Sequence, residues 1–462
     1  MCGIIGISKH PEASKVVYSG LYALQHRGEE AAGITSSDGK EIYMVKNPGL
    51  VADAFDEFSL ARLKGDTAIG HCRYSTTGSS NVRNIQPFLV RHRGKSMAVA
   101  HNGNLTNTET LYRKLENEGS IFQTTMDSEI IIHLLAKTQN GEVKEWFSKV
   151  LTQLEGAYSL IFLLEDMIIG ARDPQGFRPL CLGKLNNSYV LASESCALDL
   201  LGAQFIREID PGEIVFINGA KIESVYLPGA RKAHRAHCIF ENIYFARPDS
   251  IIFNDNVYQV RKRLGAQLAR EHPVKDADFV MSIPDSGNYA ALGYASELGL
   301  PFEVGIIRNH YIGRTFIQPT QLLRDLRVKM KLNPIRSVLK GKKIVVVEDS
   351  IVRGTTSRSR VAELRKAGAK AIHLRISCPP IKSPCFYGID FPSKEELIAH
   401  KKKTVTAIGD FIKVDSLEYI SLEGMLKVMN DKEKFCAACF TGHYPVAVPR
   451  NKSKYLLETV GR

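Results

Sequence analysis

The sequence lacks long apolar runs, a leader pattern and internal repeats. No uninterrupted apolar stretch in the 462 residues reaches the roughly 18 residues that a membrane helix needs. The first residues do not show the basic-then-apolar pattern of a secretory signal. No low-complexity segment is present either. We therefore expect a cytoplasmic globular protein that does not span a membrane.

The chain also lacks any motif typical of nucleic-acid-binding proteins, although it is basic. Its formal net charge is +12, and basic residues cluster at His400–Lys403 and Arg450–Lys454. A positive field of this kind also attracts a small polyanionic ligand. Without an accompanying motif the charge does not indicate DNA or RNA as a partner, and we expect none.

Length and pattern predict two domains. A chain of 462 residues is too long for one compact core. Residues 2–222 show many short strand patterns, Met97–Ala100 among them, with few helices, whereas strand and helix patterns alternate from about Asp255 and include a strand at Glu303–Ile307. The polar, basic segment Tyr226–His237 predicts the linker. We predict an α+β domain of stacked antiparallel sheets with outer helices over 2–230, followed by an α/β domain with a parallel sheet over 231–462.

The segment 344–356 joins a buried strand to a hydroxyl-rich turn and a helix start. The β-branched run Ile344–Val347 predicts a parallel strand covered on both faces. Glu348 and Asp349 follow it, and then a turn with Ser350, Gly354, Thr355 and Thr356. N–H groups and hydroxyls at a helix start suit a phosphate, while paired acids suit ribose hydroxyls and a divalent cation. The pattern predicts a site for a sugar phosphate at the carboxyl end of the strand.

This segment resembles the phosphoribosyl pyrophosphate motif of type I phosphoribosyltransferases almost residue for residue. The turn Ser282–Gly287 resembles the pyrophosphate-binding turn of that family, and the long basic stretch 308–334 resembles its closing loop. The resemblance implies that Ser286, Glu348 and Asp349 hold Mg²⁺. It implies a phosphoribosyl pyrophosphate site made of Asp285, Ser286, Gly287, Glu348, Asp349, Ser350, Arg353, Gly354, Thr355, Thr356, Arg314 and Lys331.

Cys2 directly follows the initiator methionine. Because a small second residue permits removal of Met1, Cys2 would become the N-terminal residue with a free α-amine. The reference pKa of such an amine is about 7.7–8.0, against about 10.4 for lysine. It can therefore accept the proton of the thiol near neutral pH. We expect Cys2 to be a nucleophile with a built-in base.

Four further motifs accompany Cys2, at Gln25–Gly28, His71–Thr76, Ala100–Leu105 and Thr125–Glu129. Together they resemble the glutaminase domain of class II amidotransferases, which are N-terminal-nucleophile hydrolases. The resemblance implies that Asn102 and Gly103 form the oxyanion hole, and that Arg73, Asp127 and Arg27 bind the glutamine. A guanidinium fork suits a carboxylate, and N–H groups suit a developing oxyanion.

Two positions in these motifs stay open. Asp127 stands at the start of a helical pattern, so it also fits an ordinary N-cap. Glu29 stands where relatives usually have glutamine, and its added negative charge leaves the contacts of Arg27 undecided.

The nine cysteines divide by context. Those in apolar or strand-like surroundings are typical of small core residues: Cys72, Cys181, Cys196 and Cys378. Cys436 and Cys439 form a C-x-x-C pair, which is compatible with zinc, an iron–sulfur cluster or a disulfide, and a cytosolic setting disfavours the disulfide. By their resemblance to the iron–sulfur branch of the amidotransferases, four cysteines would hold a 4Fe–4S cluster: Cys238, Cys385, Cys436 and Cys439.

Over essentially the whole chain the motifs resemble the glutamine phosphoribosylpyrophosphate amidotransferases. The resemblance implies an enzyme that hydrolyses glutamine and transfers the ammonia to phosphoribosyl pyrophosphate. The products would be 5-phosphoribosylamine, pyrophosphate and glutamate, in the first committed step of purine synthesis. It also implies a homotetramer that purine nucleotides inhibit.

Two alternatives share parts of this pattern. Another class II amidotransferase would share the first half, but it would need a sugar-isomerase domain or an ATP-pyrophosphatase loop, and neither is found in the sequence. A catalytically silent sensor of phosphoribosyl pyrophosphate would share the second half, but it has no reason to keep Cys2 together with Arg73, Asn102, Gly103 and Asp127.

Overall fold

The computed structural model describes residues 1–74, 81–138, 141–309, 332–391 and 393–448. Two residues predicted to bind the substrate, Arg314 and Lys331, lie outside these ranges. Within them, no helix is both long enough and apolar enough to cross a membrane.

Two antiparallel sheets are stacked face to face in the first half of the chain. One sheet contains β1 (Gly3–Ile7), β2 (Ala31–Ser37), β3 (Ile42–Pro48), β4 (Thr67–Arg73), β9 (Cys181–Leu185), β10 (Ser188–Ala192) and β11 (Gln204–Glu208), in the order β11-β9-β10-β1-β4-β2-β3. The other contains β5 (Phe88–His92), β6 (Lys95–Leu105), β7 (Gly156–Leu163), β8 (Ile168–Arg172), β12 (Glu213–Asn218) and β13 (Lys221–Tyr226), in the order β13-β12-β8-β7-β6-β5.

A dry core fills the space between the sheets. Ile4 and Ile69 from the first sheet are packed with Ile161 and Leu163 from the second, and all four are fully buried. Helices cover the outer faces. The first sheet carries α1 (Ala13–Ala23), α2 (Val51–Ala54), α3 (Glu57–Ala61) and α7 (Ser195–Leu201), and the second carries α4 (Thr108–Asn117), α5 (Asp127–Thr138) and α6 (Val143–Leu151). The predicted α+β sandwich with outer helices is confirmed.

The second half is built around a parallel sheet. Its strands are β17 (Phe279–Ser282), β20 (Lys343–Glu348), β21 (Ala371–Ile376) and β22 (Ser416–Tyr419), in that order. The helices are α8 (Val257–Glu271), α9 (Asn288–Leu298), α10 (Arg336–Leu339), α11 (Thr355–Lys366), α12 (Ile398–Lys402), α13 (Val405–Ile412), α14 (Leu422–Lys427) and α15 (Ala438–Thr441). The predicted α/β domain with a parallel sheet is confirmed.

Short elements connect the two halves. After β13 the chain forms β14 (His237–Cys238), a π-helical turn at Glu241–Phe245, and the pair β15 (Ile251–Ile252) and β16 (Asp255–Asn256). The C-terminal strand β23 (Phe435–Cys436) is paired in parallel with β14. The end of the described chain is thus tied back to the connection.

Two predicted strands differ from the structure. The strand predicted at Glu303–Ile307 is instead β18 (Ile306–Arg308), which is paired antiparallel with β19 (Leu332–Pro334) outside the parallel sheet. Ile307 is half exposed there, so this strand is not covered on both faces. Strand β6 extends beyond the predicted Met97–Ala100, because pairing with β7 continues as far as Leu105.

Candidate active sites

Cys2 lies at the start of β1, in the first sheet, and is almost completely buried. Its Sγ is 3.5 Å from the carbonyl oxygen of Tyr74. Its backbone N–H donates to Oδ1 of Asn102 at 3.2 Å. Since Asn102 is on β6 of the second sheet, the nucleophile predicted from the sequence lies between the two stacked sheets, at the start of the inner strand β1.

Asn102 and Gly103 are adjacent on β6 and face this point. The side chain of Asn102 is buried, and its Nδ2 group has no hydrogen-bond partner among the residues that the structure describes. Gly103 has a φ of 155°, and a Cβ there would lie 2.0 Å from the carbonyl oxygen of Ala157. Only glycine fits such a close approach. A buried, unsatisfied N–H beside the thiol is what an oxyanion hole requires.

Arg73 and Asp127 are both near Cys2. Arg73 is buried at the end of β4 and donates to the carbonyl oxygen of Asn84. Burial lowers its pKa, while the charges of Cys2, Glu30 and Asp127 act in the opposite direction. The carboxylate of Asp127 accepts a hydrogen bond from the backbone N–H of Leu105 at 3.0 Å, which joins the start of α5 to β6. The structure brings together one cationic and one anionic side chain beside the thiol.

Arg27 does not open onto this site. Its guanidinium is fully buried, and its Nε donates to the carbonyl oxygen of Cys2 at 3.0 Å. Its Nη atoms donate to the carboxylates of Glu194 and Glu241. With these donors engaged, Arg27 supports the backbone of Cys2, and this geometry does not favour the glutamine contact predicted for it.

The paired acids end β20 as predicted, and both are buried. Asp349 accepts hydrogen bonds from the hydroxyls of Ser286 and Ser350. Glu348 accepts from Arg360 at 2.6 Å and from Ser357 at 3.0 Å. Burial raises the pKa of Glu348 to about 7, and the neighbouring charge of Asp349 adds to this effect. A cation here would relieve the cost of two adjacent buried carboxylates.

The turn after these acids leads into α11, which begins at Thr355. Gly354 takes a φ of 75° just before the helix, so the first N–H groups of α11 are directed at the turn, where an anion would bind. The N–H of Gly287 donates to the carbonyl oxygen of Ile283 at 3.2 Å, and a Cβ at Gly287 would lie 2.6 Å from the carbonyl oxygen of Val347. Arg353 forms an exposed ion pair with Glu396.

One cavity of about 680 Å³ is lined by residues of both halves. Three of its lining residues come from the first half: His26, Glu29 and Tyr74. Predicted phosphoribosyl pyrophosphate residues also line it: Asp285, Ser286, Glu348, Asp349, Ser350, Arg353, Gly354, Thr355 and Thr356. The carbonyl oxygen of Tyr74 also accepts from the thiol of Cys2, so one residue that contacts the nucleophile lines the cavity that the acids face.

Four cysteines surround a second, apolar cavity. Cys238, Cys385, Cys436 and Cys439 line it together with aromatic rings, and we call these four residues the thiol site. Cys238 and Cys436 are direct neighbours in the β14–β23 pair. All nine cysteines are free thiols. The remaining cysteines apart from Cys2 are buried in the cores, as predicted.

The thiol site can be compared with what metal groups require. Burial raises the pKa of the Cys238 thiol to about 11, so this sulfur becomes a thiolate at neutral pH only beside a cationic group. In the described ranges, no three or more His, Cys, Asp or Glu side chains are arranged to hold a single metal ion. Four thiols that face one dry cavity do, however, match the donor set of a four-iron cluster.

Three charged residues near Cys2 were not assigned from the sequence. Glu194, Glu241 and Arg178 are fully buried, and together with Arg27 they form a cluster of alternating charges. They are far apart along the chain and follow no motif. The one signal in the sequence was the presence of charged residues within otherwise apolar segments.

The chain matches two family models. One is described as a glutamine amidotransferase domain and covers residues 71–200, and the other is described as a phosphoribosyl transferase domain and covers residues 250–416. The first contains Arg73, Asn102, Gly103 and Asp127, and the second contains the whole 344–356 segment.

Similar proteins match nearly end to end. The amidophosphoribosyltransferase of Archaeoglobus fulgidus is 48% identical over 457 residues, which are 97% of this chain and 99% of that protein. That of Methanocaldococcus jannaschii is 49% identical over 465 residues, which are 97% of this chain and 98% of that protein.

A solved structure also matches. The Bacillus subtilis glutamine phosphoribosylpyrophosphate amidotransferase complexed with ADP and GMP superposes with a TM-score of 0.91 at 45% identity, and the match covers 98% of this chain and 99% of that one. The chain therefore belongs to the amidophosphoribosyltransferases, the enzymes that transfer ammonia from glutamine to phosphoribosyl pyrophosphate in purine synthesis.

Proposed function

We propose that Cys2 is the nucleophile of glutamine hydrolysis and that its α-amine, freed by removal of Met1, is the base. The amino group of Met1 lies in a buried cradle that lowers its pKa to about 5, with the charges of Arg178 and Arg27 acting in the same direction as burial. We expect the same burial and the same cationic neighbours to lower the pKa of the α-amine of Cys2, one residue farther along, which favours its unprotonated form. It can then take the thiol proton as the sulfur attacks the amide carbon.

The neighbouring residues each have one role in this step. Arg73 binds the α-carboxylate of glutamine, and Asp127 binds its α-ammonium. Nδ2 of Asn102 and the N–H of Gly103 stabilise the oxyanion that forms when the thiol adds. The single observation that carries this assignment is the buried, unpartnered Nδ2 group of Asn102, whose other amide atom is bonded to Cys2.

The ammonia released at Cys2 has to reach the second site. The cavity of about 680 Å³ is lined by Tyr74, which contacts the thiol of Cys2, and by Asp349, together with the rings of Phe240 and Phe245. We propose that ammonia moves through this cavity to displace pyrophosphate from C1 of the ribose.

We propose that Mg²⁺ is held by Asp349 and Ser286, with Glu348 as a further ligand. Oxygen donors of this kind suit the ion, which would neutralise charge on the departing pyrophosphate. The turn Ser350–Thr356 and the N-terminus of α11 bind the 5-phosphate, while Asp285 and Gly287 shape the pyrophosphate side. Arg314 and Lys331, outside the described residues, stay predicted as contacts of the closing loop.

We propose that the thiol site holds a 4Fe–4S cluster rather than zinc. The four thiols face one apolar cavity, and four thiolates are the donor set of such a cluster. The ligands come from three separated segments of the chain, which favours a structural role.

Four further predictions concern the whole protein and not a single site. We propose a boundary near residues 230/231, a cytoplasmic location, a homotetramer and inhibition by purine nucleotides. The last is supported by the similar Bacillus subtilis enzyme, whose structure was determined with ADP and GMP.

The decisive experiment measures glutamine hydrolysis and phosphoribosylamine synthesis by the purified protein, with and without phosphoribosyl pyrophosphate. We expect glutamine hydrolysis that rises when phosphoribosyl pyrophosphate is added, and synthesis that also proceeds with ammonium salts. Equal glutaminase rates with and without the sugar phosphate would contradict the proposed coupling between the sites.

A further inference from the structure

The segment Cys385–Gly388 begins at the thiol site, to which Cys385 belongs, and runs to the strand that carries Asn102 and Gly103. Two side chains of the first half hold its backbone. Nδ2 of Asn104 donates to the carbonyl oxygen of Phe386 at 2.9 Å. Nε of Arg178 donates to the carbonyl oxygen of Tyr387 at 2.9 Å. The segment belongs to the second half of the chain but is bonded to the first.

Gly388 brings this backbone against the predicted oxyanion hole itself. Its φ is 101°, and a Cβ there would lie 3.1 Å from the carbonyl carbon of Gly103 and 3.2 Å from Nη2 of Arg178. A side chain between the two glycines would push its neighbours aside by a few tenths of an ångström. The position of Gly103 is thus limited by a residue of the other half.

Tyr387 fixes the segment on its other side. Its ring is stacked on Phe177 with the centroids 4.3 Å apart, its N–H donates to Sγ of Cys385 at 3.3 Å, and its hydroxyl donates to the carbonyl oxygen of Val446 at 2.6 Å. The segment is therefore held from both faces and cannot shift without moving its neighbours.

A chain of buried charges continues from this segment to the nucleophile. Nη1 of Arg178 is 3.5 Å from the carboxylate of Glu241. Glu241 accepts from both Nη atoms of Arg27, at 2.8 and 3.1 Å. Arg27 in turn donates from Nε to the carbonyl oxygen of Cys2. The three side chains are fully buried, so water does not substitute for a lost partner.

We propose that residues 386–388 are positioning residues for glutamine hydrolysis, which brace the oxyanion strand from behind and, through Arg178 and Glu241, hold the backbone of Cys2. The segment touches neither substrate and acts through Gly103 and Cys2. This inference rests on the roles proposed above for Cys2, Asn102 and Gly103, and it adds that the second half of the chain completes the geometry of the glutamine site.

The sharpest test is Gly388→Ala with Gly368→Ala as its matched control. Gly368 has a φ of 100° and neighbours at 3.3–3.5 Å, on Lys340, so both variants carry the same backbone strain. Since a displaced oxyanion hole loses transition-state contacts but not substrate contacts, we expect Gly388→Ala to lower kcat for glutamine about tenfold or more. The KM for glutamine and the ammonia-dependent rate stay within about twofold of wild type.

A second pair of variants tests the chain of buried charges that leads from Arg178 to Cys2. Glu241→Gln removes the carboxylate that holds Arg27, and Glu213→Gln removes an equally buried carboxylate whose partner is Arg207. We expect Glu241→Gln to lower kcat for glutamine and to slow alkylation of Cys2 by iodoacetamide, followed by peptide mass spectrometry. Glu213→Gln changes neither measurement.

Three results would overturn the proposal. The first is a glutamine kcat in Gly388→Ala equal to that of Gly368→Ala. The second is a fall shared equally by the ammonia-dependent reaction, and the third is a failure of Gly388→Ala and Glu241→Gln to fold while their controls fold, since the role would then be structural. Glutamine use that survives Cys2→Ala would instead reject the assignment of the nucleophile, so the two failures can be told apart.

Discussion

Arg27 and Glu241 are in different halves of the chain, and the guanidinium of one holds the carboxylate of the other at two points, 2.8 and 3.1 Å. A carboxylate of the first half is bound by the second half in the same way. Glu194 accepts hydrogen bonds from the hydroxyl of Ser250 and from the backbone N–H of Arg247. Burial opposes ionisation of Glu194, but the charges of His26 and Arg27 outweigh it and hold its pKa well below the usual range. Removing one partner of such a buried pair typically costs about 3–5 kcal/mol, so the halves are joined by charge as well as by apolar packing.

Replacing Cys2 with Ala separates the two reactions. We expect Cys2→Ala to abolish glutamine-dependent synthesis while ammonia-dependent synthesis stays within about twofold of wild type, because only the second site is needed when ammonia is supplied. The measurement is phosphoribosylamine formation with each nitrogen donor. Loss of both activities would mean that Cys2 is not the nucleophile or that the halves fold interdependently.

Replacing Asp349 with Asn weakens the sugar site. Both carboxylate oxygens of Asp349 accept from serine hydroxyls and face the cavity. We expect the KM for phosphoribosyl pyrophosphate and the Mg²⁺ requirement to rise about tenfold or more, which corresponds to ~1.4 kcal/mol. Initial rates over a grid of both concentrations measure the change.

Glu348→Gln provides the comparison. Its effect is expected to be smaller, because Arg360 and Ser357 already occupy the oxygens of Glu348. Alkylation of Cys2 serves as the control and stays unchanged in both variants. A double variant with wild-type dependence on both substrates would remove these acids from the site.

The thiol site gives a prediction about colour and metal content. Protein purified without oxygen is expected to be brown and to contain roughly four irons per chain. Cys436→Ser is expected to give insoluble or protease-sensitive protein, whereas Cys181→Ser, a buried thiol of the first sheet, is tolerated. Colourless, stable wild-type protein with one zinc per chain would reject the cluster and leave the enzymatic assignment intact.

The burial of His71 predicts that the folded protein loses part of its stability at acidic pH. This side chain is fully buried, and burial together with the charge of Arg73 lowers its pKa to about 3. The unfolded chain therefore takes up a proton below pH of about 6.5 that the folded chain does not, so folding stability falls as the pH drops from about 6.5 towards 3, by at most ~1.4 kcal/mol per unit from this residue.

The measurement compares thermal unfolding of wild type and His71→Gln between pH 7 and pH 5. The variant is expected to lose less stability over this range. Parallel pH dependences for the two proteins would show that folding does not lower the pKa of His71.

The site residues that could be predicted from the sequence are those placed by a local strand or turn pattern. The run Ile344–Val347 and the acids after it needed only strand periodicity and turn chemistry, and they are at the end of β20 as expected. Strand β18 was placed in the wrong pairing, because a short apolar segment does not specify its partner.

The charged residues around Cys2 could not be predicted in the same way. Glu241 and Arg178 are separated by 63 positions, and their pairing depends on how the second half docks against the first. The assignment of Arg27 to glutamine failed to match the geometry for the same reason, since its partners come from elsewhere in the chain. Contacts of this kind follow from tertiary structure and leave no local periodicity.

The pairing of β14 with β23 has a consequence for synthesis on the ribosome. Cys238 and Cys436 become neighbours although roughly 200 residues separate them, and a ribosome adds about 5–20 residues per second. Roughly 10–40 s therefore pass between the synthesis of β14 and the synthesis of its partner β23. During that interval the glutaminase half is complete in sequence, while Cys238 lacks Cys436 and Cys439 and gains Cys385 only towards the end, so all four thiols are present only after Cys439 has been made.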